Sequence, residues 1–265
     1  MNLKRNIIFG SLSLAVLTLA GCGQRDAAVV SPSAPIVAVL ATSSFQPSGV
    51  LEHGSREKKV VALTFDADMT PKMKQDLALG KVTSWYAEEV ITILEKNQVP
   101  ATLFLTGMWS EMYPEAVMAF AKSPLFELGN HTYDHGAFHT PCYGLGEVAD
   151  KKAEITKTQQ VIESLTGITP KYFRFPGGCS TESDVKLVSE LGLQVVGWDD
   201  ISGDAYIRDA AAPIITQTLK NAKNGSIIVF HLNGGRTAPQ TANVLQAIID
   251  GLRERGFSFV KVGDL

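Results

Sequence analysis

From Lys59 to the end of the chain, short β-rich apolar runs alternate with longer amphipathic stretches, and this alternation restricts the architecture more than any other feature. The runs are Val60 to Phe65, Ala101 to Leu105, Phe126 to Asn130, Tyr172 to Phe175, Gln194 to Trp198, Ser226 to Phe230 and Phe257 to Val262. Helix-like stretches lie between them, near 84–97, 113–122, 147–165, 181–191, 208–222 and 239–255. Seven strands separated by six helices describe one parallel α/β unit over residues 58–265, because parallel neighbours need a crossover and helices are the usual crossover. The expected fold is a distorted (β/α)7 barrel.

The remaining composition fits that expectation. With 45% hydrophobic and 19% charged residues, the 265-residue chain is neither a disordered polymer nor a repeatedly membrane-threaded one. Its formal charge is -3, and no run of Lys and Arg suited to a phosphate backbone occurs, so nucleic acid is not an expected partner. A monomer is expected.

Residues 1–21 read as a secretory signal: Lys4 and Arg5 precede an apolar stretch from Ile7 to Leu19, and small Ala20 and Gly21 precede Cys22. Leu19-Ala20-Gly21-Cys22 resembles a bacterial lipobox, which implies cleavage before Cys22 and a lipid anchor on it that holds the protein to a bilayer. The alternatives are a plain secretory signal with a stray cysteine and an uncut anchor helix. Gly23, where an Asp would suggest inner-membrane retention, leans the resemblance towards an outer-membrane lipoprotein in a Gram-negative cell, or the cell surface otherwise. Residues 22–57, rich in Ala, Ser, Pro and Val, are expected to form a flexible tether reaching on the order of 110 Å when extended. Export would place Cys142 and Cys179 in an oxidising compartment, where they either pair or remain two free thiols.

Barrels of this kind carry function on the loops at the C-terminal ends of their strands. The ionisable residues fall there: Asp66 and Asp68 after the first run, His131 and His135 after the third, Arg174 at the fourth, Asp199, Asp200 and Asp204 after the fifth, and His231 after the sixth. His131 and His135 share a face if their segment is helical or tightly turned, and two imidazoles with one carboxylate leave open positions on a divalent metal. By themselves they are more often surface or core residues. Asp66 and Asp68 project to one side of a strand by alternation, and Met69-Thr70-Pro71 shows no strong helix start for them to cap. One carboxylate can then bind metal while the other acts as a general base. His231, following an apolar strand, is either a hydrogen-bonded structural histidine or a general acid.

These residues, in order, resemble one family. Val61-Ala62-Leu63-Thr64-Phe65-Asp66, Asn130-His131-Thr132-Tyr133-Asp134-His135, Arg174-Phe175-Pro176 and Val229-Phe230-His231 are similar to the motifs of polysaccharide deacetylases of the NodB-homology type, carbohydrate esterase family 4, and the similarity runs from Lys59 to Leu265. The resemblance implies a metal-dependent hydrolase that removes N-acetyl groups from amino sugars of a cell-envelope polysaccharide. It implies Asp66 as catalytic base, His131 and His135 as ligands of zinc, with cobalt or nickel as alternatives, Arg174 balancing Asp66, and the Gly177 N–H in the oxyanion site. It also implies His231 as the acid that protonates the leaving nitrogen.

The sequence departs from the family at two places. Ala67 stands where the ligand aspartate usually follows the base, so Asp68 is expected to supply the metal carboxylate; Asp66 itself or a water is the alternative. In Trp198-Asp199-Asp200-Ile201-Ser202-Gly203-Asp204-Ala205, Asp204 best matches the acid supporting the Arg or His, and Ala205 leaves out an aromatic groove wall. Rival readings are an O-acetyl polysaccharide esterase and a non-catalytic glycan-binding envelope lipoprotein. The polymer itself is not legible.

Overall fold

The computed structural model describes residues 49–265; the signal, Cys22 and most of the expected tether lie outside the described residues. Nine strands are present among them: β1 (Val50–Leu51), β2 (Val60–Ala67), β3 (Ala101–Leu105), β4 (Phe126–Asn130), β5 (Tyr172–Phe173), β6 (Gln194–Val196), β7 (Asp200–Ile201), β8 (Ser226–His231) and β9 (Ser258–Phe259). The helices are α1 (Pro71–Ala78), α2 (Glu88–Lys96), α3 (Gly107–Met112), α4 (Pro114–Lys122), α5 (Lys151–Thr166), α6 (Glu182–Glu190), α7 (Ala211–Asn221) and α8 (Thr241–Glu254). The strands pair in parallel in the order β1-β6-β5-β4-β3-β2-β8-β7, with β9 beside the start of β2. This is the expected distorted barrel.

Residues 50–54, which the sequence assigns to the tether, join the sheet. Val50 and Leu51 pair with Val195 and Val196 of β6, His53 bridges Ser226 of β8, and the Gly54 N–H donates to the Gly225 carbonyl at 2.8 Å. Residues 50–54 therefore span the gap between β6 and β8, where the β7 segment reaches β8 only nearer its C-terminal end. Their Ala/Ser/Pro-rich upstream context hides two residues that satisfy a sheet edge.

Two layers of side chains follow from the period of β2. Val61, Leu63, Phe65 and Ala67 face the helices, packed with Leu94, Leu103, Leu128, Phe230 and Ile248. Ala62 faces the barrel interior with Phe104, Val196, Ile227 and Val262, and Thr64 and Asp66 continue that inner row. Burial on both sides makes these strands continuous apolar runs, which is why they are visible in the sequence. The outer helices show the matching stripe: α8 buries Val244, Leu245, Ile248, Ile249 and Leu252.

Two helices were not expected. Thr70 caps α1, accepting from the Met73 N–H at 3.1 Å with Pro71 in the first turn, so Thr70-Pro71 is a helix start after all. The aspartates before it remain free of capping duty. Helix α1 has no buried residue and α3 has six residues, so neither carries a readable apolar stripe.

Gly129 shows how tightly the interior is filled. A Cβ there would lie 2.5 Å from the Phe104 ring, the same ring whose centroid is 4.1 Å from the Arg174 guanidinium carbon. Gly129→Ala is expected to cost about 1–3 kcal/mol by overpacking. Urea unfolding measures it, and an unchanged midpoint would contradict this packing.

Candidate active site

The C-terminal ends of β2, β4 and β8 bring the central groups together. Asp66 and Asp68 leave β2 on the same side, His131 directly follows β4, and His231 ends β8 opposite Asp66 in the ladder. The 131–135 segment is a turn and not a helix. Thr132 and His135 have φ of 66° and 62°, and the Thr132 N–H donates to Asn130 Oδ1 while the His135 N–H donates to Thr132 Oγ1. Glu154 of α5 accepts from the N–H groups of Tyr133 and Asp134 at 2.8 and 3.1 Å, fixing the turn from outside. Such left-handed backbone in non-glycine residues is held only where surroundings determine it.

Asp68 Oδ1 lies 3.4 Å from His131 Nε2 and 3.3 Å from His135 Nε2, and it is buried without a hydrogen-bond partner. Donor atoms at bond lengths of about 2.0–2.1 Å from a tetrahedral metal stand about 3.3 Å apart, so both measured separations fit a cation seated among these three. The orphaned carboxylate oxygen gives the same answer independently. The His131 Nδ1–H donates to the Arg174 carbonyl at 2.9 Å, which leaves its Nε2 lone pair aimed at Asp68.

The electrostatics agree with a site built for positive charge. Burial opposes ionisation of Asp68, yet the adjacent His135 and His131 hold its carboxyl well below the usual carboxylate range. Burial pushes His135 down to about 4, so its imidazole is unprotonated at neutral pH, as a metal ligand must be. His131 is raised: burial acts against it, but the nearby Asp66 and Asp68 carboxylates prevail. The carboxylates thus draw a proton to the position where a cation would supply the charge.

Arg174 is fully buried across the barrel interior. Its guanidinium donates to Asp66 Oδ1 at 2.7 Å, Thr64 Oγ1 at 2.8 Å and the Gly197 carbonyl at 3.0 Å. Asp66 is left with Oδ2 facing His131 Nε2 at 3.7 Å. On the other side of the cleft, Asp204 accepts from His231 Nδ1 at 2.8 Å and from the His231 N–H at 2.7 Å; Thr241 Oγ1 donates to the same carboxylate. Burial opposes the charged imidazole, but Asp204 outweighs it and His231 is pushed up to about 10. Asp66, Asp68, His135, Asp204, His231 and Gly177, whose φ is 61° and whose N–H has no hydrogen bond among the described residues, line a cleft of about 380 Å³.

Residues 53–196 match the sequence model described as polysaccharide deacetylase. The chain belongs to the polysaccharide deacetylase family. It is 30% identical over 234 residues to the peptidoglycan-N-acetylglucosamine deacetylase of Bacillus cereus, covering 86% of this chain and 98% of that protein. It is 29% identical over 180 residues to the uncharacterized protein YlxY of Bacillus subtilis, covering 68% of this chain but only 53% of YlxY. Among solved structures, the Bc1960 peptidoglycan N-acetylglucosamine deacetylase aligns with a TM-score of 0.68 at 26% identity, covering 81% of this chain and 91% of that one. These relatives place the chain among the hydrolases of the polysaccharide deacetylase family.

Asp66, Asp68, His131, His135, Arg174, Gly177, Asp204 and His231 all meet at this site, as their positions at strand ends suggest. Cys142 and Cys179 are disulfide-bonded with Cα atoms 6.0 Å apart, beside Gly177. Asp199 and Asp200 do not reach the cleft. Asp199 accepts from Arg56, Ser226 Oγ and the Ile227 N–H at the opposite end of β8, and Asp200 is buried with neither carboxylate oxygen hydrogen-bonded among the described residues. Asn233 belongs to none of the sequence motifs. Buried two residues past His231, its side chain accepts from the Asp68 N–H at 2.9 Å and donates to the Asp68 carbonyl at 2.7 Å, clamping the carboxylate's backbone. Its only signal is an Asn two residues past the apolar run that His231 closes.

The His231–Asp204 pair carries a pH signature. A value near 6.5 in the unfolded chain and about 10 in the folded one means its stabilisation is complete below about 6.5, falls as pH rises and is lost above about 10. Urea unfolding from pH 6 to 10 should show wild-type stability falling more steeply than that of His231→Gln. Parallel curves would contradict a charged pair.

Proposed function

We propose that the protein is a metal-dependent N-deacetylase acting on the amino sugars of a cell-envelope polysaccharide, peptidoglycan or a poly-N-acetylglucosamine-like polymer, releasing acetate. The single observation that carries this reading is the buried, unpartnered Asp68 Oδ1 facing two imidazole Nε2 atoms at 3.3 and 3.4 Å, with Asp66 and His231 lining the same cleft. The family relationship to peptidoglycan-N-acetylglucosamine deacetylases supports the substrate class.

Asp68, His131 and His135 would hold the cation. A divalent metal, zinc on the strength of two imidazoles and a carboxylate, supplies a polarised carbonyl and an acidified water when bound there. The chain's own groups do the rest. Asp66, its one oxygen fixed by Arg174, takes the proton of the attacking water with the other. The unpartnered Gly177 N–H donates to the oxygen on which negative charge grows, a preorganised contact worth several kcal/mol in such sites. His231, held protonated by Asp204, delivers its Nε2 proton to the amide nitrogen as the C–N bond breaks; without it the amine leaves poorly. Acetate and a free amino sugar result.

The signal pattern and Cys22 support an exported, lipid-anchored form, and the Cys142–Cys179 disulfide accords with an oxidising compartment.

Acetate release from N-acetylglucosamine oligomers, peptidoglycan and acetylated xylan tests the reading. Activity should appear on an N-acetylated substrate, vanish with chelator and return with added zinc. Asp66→Asn and His231→Ala should each lose at least about 10²-fold in kcat while remaining folded. Release from xylan alone would make the protein an O-acetyl esterase, and no release from any polymer by the zinc-loaded protein would refute an enzyme.

A further inference from the structure

Six large hydrophobic side chains are exposed among the described residues, and three of them, Tyr143, Ile201 and Tyr206, line the one cleft that holds Asp66 and His231. Exposed apolar groups gathered at a cleft that also holds ionisable groups mark a ligand surface more than chance scatter. Tyr143 is the most unusual of them. It is 88% exposed, its φ is 46°, and it occupies the turn Cys142–Leu145 that the Leu145 N–H closes on the Cys142 carbonyl at 2.8 Å. An aromatic residue held in the left-handed region with its ring in solvent gains nothing from burial, so the fold maintains the conformation against its intrinsic cost.

The restraint comes from the residue before it. Cys142 is bonded to Cys179, two residues beyond Gly177, and a Cβ on Gly177 would meet Cys142 Sγ at 2.8 Å and Tyr143 Cδ2 at 2.9 Å. Tyr143 therefore lies over the glycine that bears the candidate oxyanion N–H, in space that any side chain at 177 would need. The absent side chain, the disulfide and the strained tyrosine form one arrangement that presents a flat ring on one side of the cleft. Ile201 and Tyr206 line the same cleft beside Ala205, the position where the sequence pattern lacks an aromatic wall.

We infer that Tyr143, pinned by the Cys142–Cys179 disulfide, is a substrate-binding residue that stacks on a sugar ring of the glycan chain beside the reacting N-acetyl group, with Tyr206 as the facing platform. This deepens the N-deacetylase reading and rests on it. A pyranose has an apolar C–H face with hydroxyls around its rim, which suits a rigid phenol ring with a polar tip. Two aromatics lining one cleft favour a polymer over a single sugar. Such contacts form equally in the ground and transition states, so they act on KM and not on kcat.

The test uses the zinc-loaded protein and a pentamer of N-acetylglucosamine. Tyr143→Ala should raise KM about tenfold, equivalent to about 1.4 kcal/mol, with kcat altered less than about threefold, while Tyr143→Phe retains the wild-type KM. Cys142→Ser combined with Cys179→Ser should raise KM to the same extent and add nothing to Tyr143→Ala. Calorimetric binding of the pentamer to Asp66→Asn, with and without Tyr143→Ala, should show the same tenfold loss. If acetate is never released but binding still depends on Tyr143, the stacking role stands and the deacetylase reading falls. If acetate is released and neither KM nor Kd responds to Tyr143→Ala, or if kcat falls with metal content instead, the stacking role is wrong. A pentamer that neither binds nor reacts removes both.

Discussion

Everything at the catalytic end of the barrel depends on one buried cation, the Arg174 guanidinium. It lies in the interior with its carbon 4.1 Å from the Phe104 ring centroid and 5.4 Å from that of Trp198, and it donates to Asp66, Thr64 and the Gly197 carbonyl. A guanidinium so placed is tolerable only because its donors are met and a carboxylate balances it; removing either partner would strand a charge in an apolar interior, at about 3–5 kcal/mol. The same residue's carbonyl accepts from His131 Nδ1. One residue thus fixes the rotamer of the candidate base and the tautomer of a candidate ligand, coupling the two halves of the site through a rigid strand end.

Around that anchor the charges are arranged in alternating pairs: Arg174 with Asp66, His131 with Asp68, and His231 with Asp204. Each carboxylate has a different companion, so three chemically identical groups are given separate work. Asp66 keeps an oxygen free towards the cleft, Asp68 turns an unsatisfied oxygen to the imidazoles, and Asp204 spends both oxygens on holding His231. A cation among Asp68, His131 and His135 would complete the pattern, satisfying the carboxylate oxygen that no protein group reaches.

The parts of this protein legible in its sequence were those with a physical period or a strong chemical identity. Strands β2, β3, β4 and β8 are buried on both faces and read as apolar runs, and α8 displays its stripe openly. Asp66 and Asp68 share a side because strand alternation requires it. What was hidden had no such period. Strand β1 has two residues whose pairing depends on the distant β6, and α1 packs without a buried face, so only the Thr70-Pro71 cap announced it. Asp199 and Asp200 were indistinguishable from site acids until the chain's bend turned one towards Arg56 and buried the other. Asn233 acts on the backbone of Asp68, a role that leaves no motif. Tyr143 depends on the bond between its neighbour Cys142 and Cys179, 37 residues further along the chain, a pairing that cysteine positions alone left open.

The central claim is that Asp68, with His131 and His135, is the seat of a single divalent cation. Anomalous diffraction at the zinc absorption edge from zinc-soaked crystals tests it most directly. The predicted result is one strong peak within bonding distance of Asp68 Oδ1 and the two Nε2 atoms, absent from Asp68→Ala crystals treated alike. A featureless site in the wild-type protein, or a peak that persists unchanged without Asp68, would contradict the account.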